Sequence, residues 1–172
     1  MQASTLALLS VLAIASVPRA FANSPATEEA LARAALVGMQ LSVRKAVAQG
    51  KVPDTLVSCV QRISADSFVP IFHSLLEQNL SVDEIAAAEK FFLSEVGRKF
   101  AKAGVAQAYV AVGEQPPEPV SEVSESEYAE LEQFSRTAAG QKLMVQKVME
   151  GQPVRQAVGA RVRELLDSCR AK

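Results

Sequence analysis

The sequence predicts an all-α protein, a compact helical bundle of about seven or eight helices with an internal helix-turn-helix repeat. Three observations support this prediction. Apolar residues recur at helical spacing through most of the 172 residues, and no stretch alternates apolar and polar residues as a half-buried strand does. The stretch 81–100 returns without a gap 43 residues later, as 124–143. Only two copies occur, with different flanks, which favours a bundle with pseudo-symmetry over a solenoid.

The chain begins with an apolar run over residues 5–17, which has the length of a signal peptide and is too short to span a bilayer. Ala20, Phe21 and Ala22 then supply a small-x-small cleavage signal. We therefore predict a signal peptide over 1–22, a single helical domain over 23–172, and a periplasmic or secreted protein after cleavage near Ala22. No Lys or Arg precedes the run, so either the free amino terminus supplies the positive charge or the true translation start lies elsewhere.

The charge balance excludes one class of partner. The chain has 18 basic and 19 acidic residues, and cleavage removes only Arg19 among them. The mature chain is therefore slightly acidic, whereas nucleic-acid binding requires a concentrated basic face. No second apolar segment approaches about 18 residues, so we expect no transmembrane anchor in the mature chain.

Cys59 and Cys169 are the 2 cysteines, and both lie in the mature chain. In an oxidising compartment, an isolated pair indicates a structural disulfide. It would close a loop of about 110 residues, for which the chain-entropy account gives at most about 4–5 kcal/mol. The alternative is two buried free thiols that pack as small apolar side chains.

Three helices are expected before the repeat. The first runs from about residue 28 to residue 49 and is stopped by Gly50; the second begins at Pro53 and Asp54; the third runs from Phe68 to about Asn79. One apolar stripe of the first helix is expected to face the core. Its members are Leu31, Ala34 or Ala35, Met39 or Gly38, Val43 and Val47.

Each copy of the repeat opens with a capping box, Ser81 with Glu84 and Ser124 with Glu127. An apolar stripe follows in each copy. In the first it comprises Ile85, Ala88, Phe91, Phe92 and Val96, and in the second Tyr128, Leu131, Phe134, Ala138 and Ala139. The predicted copies extend over 81–112 and 124–150, separated by a proline- and glutamate-rich linker over 113–123. A last helix is expected over 154–168.

Ser94 and Thr137 are predicted to cap the second helix of each copy, with Gly97 and Gly140 in its first turn. Glycine costs about 1 kcal/mol relative to alanine inside a helix, so its recurrence indicates that two backbones approach closely there. The alternative is that each glycine marks a loose turn.

The recurring signature is an acid-capped helix, an aromatic residue, Ser/Thr-x-x-Gly, then Lys and an apolar residue. Its remaining members are Phe91 and Lys99 in the first copy and Phe134 and Lys142 in the second. This pattern resembles the bacterial secreted family called domain of unknown function 2059, best over residues 68–108. That family usually has Phe-Tyr before the serine and proline after it, where this chain has Phe91-Phe92 and Glu95. The resemblance implies a helical fold and export. It does not indicate a reaction, because the family has no established activity.

The sequence offers no catalytic, cofactor-binding or metal-ligating set. His73 is the only histidine, with Glu77 four residues on as a weak partner, and a metal site needs more histidine or cysteine. Glu89 and Glu132 fall off the apolar stripes and are expected on a solvated face. Lys99 and Lys142 are expected either to pair with these glutamates across the turn or to face an anionic partner.

These features predict a non-catalytic binding or adaptor protein of the bacterial periplasm, whose partner is an unknown envelope protein or a small ligand. Two alternatives stay open. One is a carrier that holds a small apolar ligand between the repeats. The other is an envelope hydrolase that uses His73 as its acid–base residue.

Overall fold

The computed structural model describes residues 25–171 and contains eight α-helices and, within that range, no strand. The helices are α1 (Ala26–Ala48), α2 (Thr55–Val60), α3 (Val69–Asn79), α4 (Val82–Leu93), α5 (Glu95–Ala111), α6 (Glu125–Ser135), α7 (Ala138–Gly140) and α8 (Gln152–Arg170). The predicted all-α class is confirmed. The predicted signal peptide and its cleavage site near Ala22 lie outside the described residues.

Helix α1 is the central element, because it packs against α2, α3, α4 and α5. Met39 and Val43 are buried as the predicted stripe requires, but Ala34 is exposed. Ala32 and Val37, outside that stripe, are buried as well. The single stripe was therefore too narrow, since a helix with neighbours on several sides needs apolar residues around most of its circumference. The helix stops before Gly50, whose φ of +66° is the left-handed conformation that favours glycine.

One hydrophobic core joins α1, α2, α3 and α8. Its largest buried side chain is Phe68, and Phe72 and Leu75 of α3 pack with it. The predicted disulfide between Cys59 and Cys169 is present, with 5.8 Å between the two Cα atoms. It attaches the carboxyl end of α8 to α2 and thus closes the edge of this core.

A second core lies where α4 and the start of α5 meet α6 and α7. It consists of Ala88, Phe91, Val96, Phe134 and Ala139. The rings of Phe91 and Phe134 stack face to face, with centroids 3.9 Å apart and an interplanar angle of 1°. Both phenylalanines are buried as predicted. The prediction that Tyr128 belongs to the buried stripe is wrong, because 62% of its surface is exposed.

The second copy departs from its prediction after Gly140. Its second helix was expected to reach residue 150, but α7 covers only Ala138–Gly140. A π-helical turn over Gln141–Val145 follows, then Lys147 at φ 53° and a 3-10 turn over Val148–Glu150. Helix α5 remains regular for 17 residues because it packs along α1, while the π-helical turn buries none of its residues. The two stretches thus agree at their caps and differ beyond them, and the repeat as a whole stays a prediction.

Candidate functional site

The capping hydrogen bonds fix the start of four helices. The Ser81 amide donates to Glu84 at 2.7 Å and the Ser124 amide donates to Glu127 at 2.8 Å, while each serine hydroxyl accepts from the amide of that glutamate. The Gly97 amide donates to the Ser94 hydroxyl at 3.1 Å. Thr137 accepts from Gly140 in the same way, at 3.0 Å.

Gly97 and Gly140 lie where two backbones approach. A Cβ added to Gly97 would be 1.9 Å from the carbonyl oxygen of Phe91, and one added to Gly140 would be 1.9 Å from that of Phe134. No side chain fits in this space, so each glycine lets a second helix fold back directly onto the end of the first. The loose-turn alternative does not describe either site.

The two signature lysines pair across the copies. Lys99 Nζ lies 2.5 Å from Glu127 Oε1, and Lys142 Nζ lies 2.7 Å from Glu84 Oε2. Each lysine therefore contacts the capping-box glutamate of the other copy. The expected pairing with Glu89 or Glu132 is wrong, because the packing of the two stretches brings each lysine to a glutamate 28 or 58 residues away in sequence.

These ion pairs change the acidity of the capping carboxylates. The hydrogen bond from Lys99, with that from the Ser124 amide, lowers the pKa of Glu127 to about 2. Lys142 and the Ser81 amide lower the pKa of Glu84 in the same way. The two signature lysines and the two capping glutamates thus pair with one another at this junction.

Glu89 was predicted to lie on a solvated face, but it bonds to the start of α1. Its carboxylate accepts from the Ala26 amide at 2.7 Å, from the Thr27 amide at 3.0 Å and from the Thr27 hydroxyl at 3.1 Å. It therefore caps the amino end of α1 from helix α4, where a negative charge also meets the positive end of the helix dipole. Glu132 pairs with Arg136 at the surface, at 2.6 Å.

A groove of about 370 Å³ begins beside this cap, between α1, α5 and the linker. Helices α1 and α5 run in the same direction, because Ala26 meets the end of α4 while Arg44 lies over the ring of Tyr109, 5.7 Å from its centroid. The apolar part of the lining comes from both helices, from Phe92 and Leu93, and from the linker. These residues are Ala26, Ala30, Val37, Phe92, Leu93, Ala101, Val105, Ala106, Tyr109, Pro116, Pro117, Pro119 and Val120.

Residues 114–120 form a strap over the groove. At one end, Glu114 pairs with Arg44 of α1 at 2.8 Å; further along, Glu118 pairs with Lys102 of α5 at 3.4 Å. The strap therefore runs back along the groove, opposite in direction to α5. Its prolines have no amide donor to satisfy, which suits an extended segment that lies over a largely apolar surface.

Five charged side chains line the groove, the basic Arg33, Arg98 and Lys102 and the acidic Glu29 and Glu118. Arg98 donates one N–H to the Leu93 carbonyl at 2.7 Å. Among the described residues, neither Arg33 nor Arg98 has a carboxylate within salt-bridge distance. The rim thus carries two guanidinium groups with donors to spare.

His73 lies away from the groove and is held by two carboxylates. Its Nδ1 is 2.8 Å from Glu28, a carboxylate with only 8% of its side chain exposed, and its Nε2 is 3.4 Å from the predicted partner Glu77. The hydrogen bond to Glu28 raises the pKa of His73. Glu28 was missed because it lies 45 residues away in sequence.

The described residues include no group of three or more His, Cys, Asp or Glu side chains placed to hold a metal ion. Over the same range, no helix combines the length and apolar character required to cross a membrane. Comparisons with protein-family models, with curated proteins and with solved structures find no match to this chain. The resemblance to domain of unknown function 2059 thus stays a prediction.

Proposed function

We propose that the chain is an exported, non-catalytic binding protein of the bacterial envelope, and that the groove between α1, α5 and the strap is its ligand site. The observation that carries the proposal is the groove itself. Its volume of about 370 Å³ falls in the range of about 300–1,000 Å³ that is typical of small-molecule sites. Its lining is mostly apolar with a few charged groups, which is the composition such sites have.

The edge of the groove carries exposed apolar side chains. Leu93 is 57% exposed and Val120 is 46% exposed at its edge, so apolar surface remains that a ligand would cover. The groove is lined by α1, the end of α4, α5 and the strap, and none of its lining residues comes from the second copy. The groove therefore supports the apolar-ligand alternative, at a place other than the predicted space between the repeats.

The hydrolase alternative receives less support. Both ring nitrogens of His73 face carboxylates, and in the part of the chain described here no serine hydroxyl or cysteine thiol bonds to the ring. A nucleophile adjacent to the base is the usual signature of covalent hydrolysis.

The test is the binding of a neutral apolar fluorescent probe such as Nile red to the purified protein. We expect saturable binding that Leu93→Ser weakens about tenfold, because the variant removes part of the apolar wall that a ligand buries. Val82→Ser is the matched control, since Val82 is an 82% exposed apolar residue of the same helix α4 that does not line the groove. Absence of saturable binding, or equal loss in both variants, contradicts the proposal.

A further inference from the structure

We propose that the groove binds a single-chain amphiphile with an anionic head group, the apolar chain lying between α1, α5 and the strap and the head group meeting Arg33 and Arg98. This inference rests on the proposed function and names its ligand class.

The first step is the distribution of polarity. Between the two helices the groove is lined by alanine, valine and phenylalanine side chains, including the buried Val37 and Ala106. The basic side chains Arg33, Arg98 and Lys102 are exposed and thus lie at the rim. An apolar interior with charge only at the mouth matches a molecule that has one long apolar part and one charged end.

The second step is the sign of the charge. Lys102 is paired with Glu118 of the strap, so these two charges offset each other. Arg33, Arg98 and Glu29 remain, and among the described residues none of the three is in a salt bridge. Two guanidinium groups against one carboxylate favour an anion, and guanidinium is suited to carboxylate and phosphate because it donates two parallel hydrogen bonds.

The third step is the relative position of the two arginines. Because α1 and α5 run in the same direction, the register set by Ala26 at one end and by Arg44 with Tyr109 at the other places Arg33 at the level of the first turns of α5. Arg98 lies in those turns. The two side chains therefore lie at the same level along the groove, where one head group can meet both.

The fourth step is capacity. A groove of about 370 Å³ is near the lower limit for small-molecule sites, which suits one alkyl chain. It is too small to take up a patch of bilayer, so the ligand is a monomeric amphiphile.

The experiment is displacement of Nile red from the purified protein by three twelve-carbon competitors, each used below its micelle-forming concentration. These are dodecanoate, dodecan-1-ol and dodecyltrimethylammonium, which share the chain and differ in the head group. We expect dodecanoate to bind about tenfold more tightly than the alcohol and the cation to bind most weakly. Added salt should reduce only the advantage of dodecanoate, since exposed charges are screened.

Two variants test the arginines. Arg33→Gln and Arg98→Gln should each weaken the binding of dodecanoate about five- to tenfold and leave the binding of dodecan-1-ol unchanged. Arg163→Gln is the matched control, because Arg163 is an exposed arginine of α8 that does not line the groove. A thermal melt of each variant checks that the fold is retained.

The outcomes separate this inference from the function on which it rests. Equal binding of the acid and the alcohol, preference for the cation, or indifference to both arginine substitutions overturns the anionic ligand, while binding of Nile red still supports the groove as a site. Failure of Nile red to bind removes both proposals. The protein could also form a dimer without ligand that the Leu93→Ser substitution dissociates. That result would assign the groove to a second copy of the chain and would overturn the inference.

Discussion

Lys142 lies 2.7 Å from Glu84, 58 residues earlier in the chain, and so joins the π-helical turn of the second copy to the capping box of the first. Lys99 and Glu127 make the same connection in the reverse sense. A reciprocal exchange of this kind is the contact pattern of a two-fold axis, at which residue i meets j and j meets i. These two ion pairs are therefore arranged as a two-fold relation between residues 81–100 and 124–143 would require.

The first prediction concerns acid stability. The pKa of Glu127 is about 2 in the folded protein against an ordinary 4.5. Its contribution to folding stability is therefore fully present above pH 4.5 and is lost as the pH falls through about 2. Lys99→Met raises the pKa of Glu127 toward its ordinary value, because the main hydrogen bond to the carboxylate is gone. We therefore expect the variant's unfolding free energy to fall less steeply than that of the wild type in this window.

Urea unfolding at a series of pH values measures this slope. Lys90→Met is the control, since Lys90 is an exposed lysine of α4 that forms no salt bridge with a described residue. Identical slopes for Lys99→Met and the wild type contradict the pairing.

The second prediction concerns the stacked rings. Phe91→Ala and Phe134→Ala should each lower the unfolding free energy by about 3–5 kcal/mol, because both side chains are buried and leave a cavity. Since the rings contact each other, the double variant should cost less than the two single losses combined.

Chemical unfolding of the four proteins measures both effects. Tyr128→Ala supplies an exposed aromatic control, with an expected change within about 0.5 kcal/mol. Additive losses would show that the two rings do not share one packing site.

The third prediction concerns the two close-packed glycines. Gly97→Ala and Gly140→Ala should each destabilise the protein by about 3 kcal/mol or prevent folding, because the new methyl group meets a backbone carbonyl that has little freedom to move. Gly104→Ala, in the same helix as Gly97, should instead stabilise by up to about 1 kcal/mol, since nothing lies within 4 Å of its added Cβ.

Thermal melts distinguish the three variants directly. A Gly97→Ala protein as stable as Gly104→Ala would contradict the close approach of α5 to the end of α4.

The fourth prediction concerns His73. Its pKa is raised above the ordinary 6.5, chiefly by the hydrogen bond to Glu28, so its contribution to stability is fully present below pH 6.5 and is lost as the pH rises through the folded value. Glu28 and Glu77 are the two carboxylates that face it. His73→Gln should therefore reduce the loss of stability between pH 6.5 and the raised pKa.

An NMR titration of the single imidazole gives the folded pKa. A value at or below 6.5 contradicts the contact with Glu28, and Glu77→Gln should lower the pKa by less than Glu28→Gln because its contact is longer, 3.4 Å against 2.8 Å.

Much of the fold follows from local patterns that a single sequence displays. The caps at Ser81, Ser94, Ser124 and Thr137 were predictable because a cap depends on residues three positions apart. The burial of Phe91 and Phe134 followed from helical spacing. The disulfide was predictable because only one pairing of two cysteines exists.

The candidate site was not predictable, because it depends on contacts between distant segments. Residues 26–37 are predicted to be helical, but their spacing does not indicate that α5 packs beside them. Arg33 is exposed on α1, but its position opposite Arg98 could be predicted only if the direction of α5 were known. The Glu89 cap and the Glu28–His73 contact likewise join residues 63 and 45 positions apart.

The disulfide between Cys59 and Cys169 closes a covalent ring that contains the whole strap. A protease that cuts the chain within residues 114–120 would therefore leave two fragments still linked, and both hydrophobic cores contain residues of both fragments. We therefore expect a single cut within the strap to leave one covalently linked molecule.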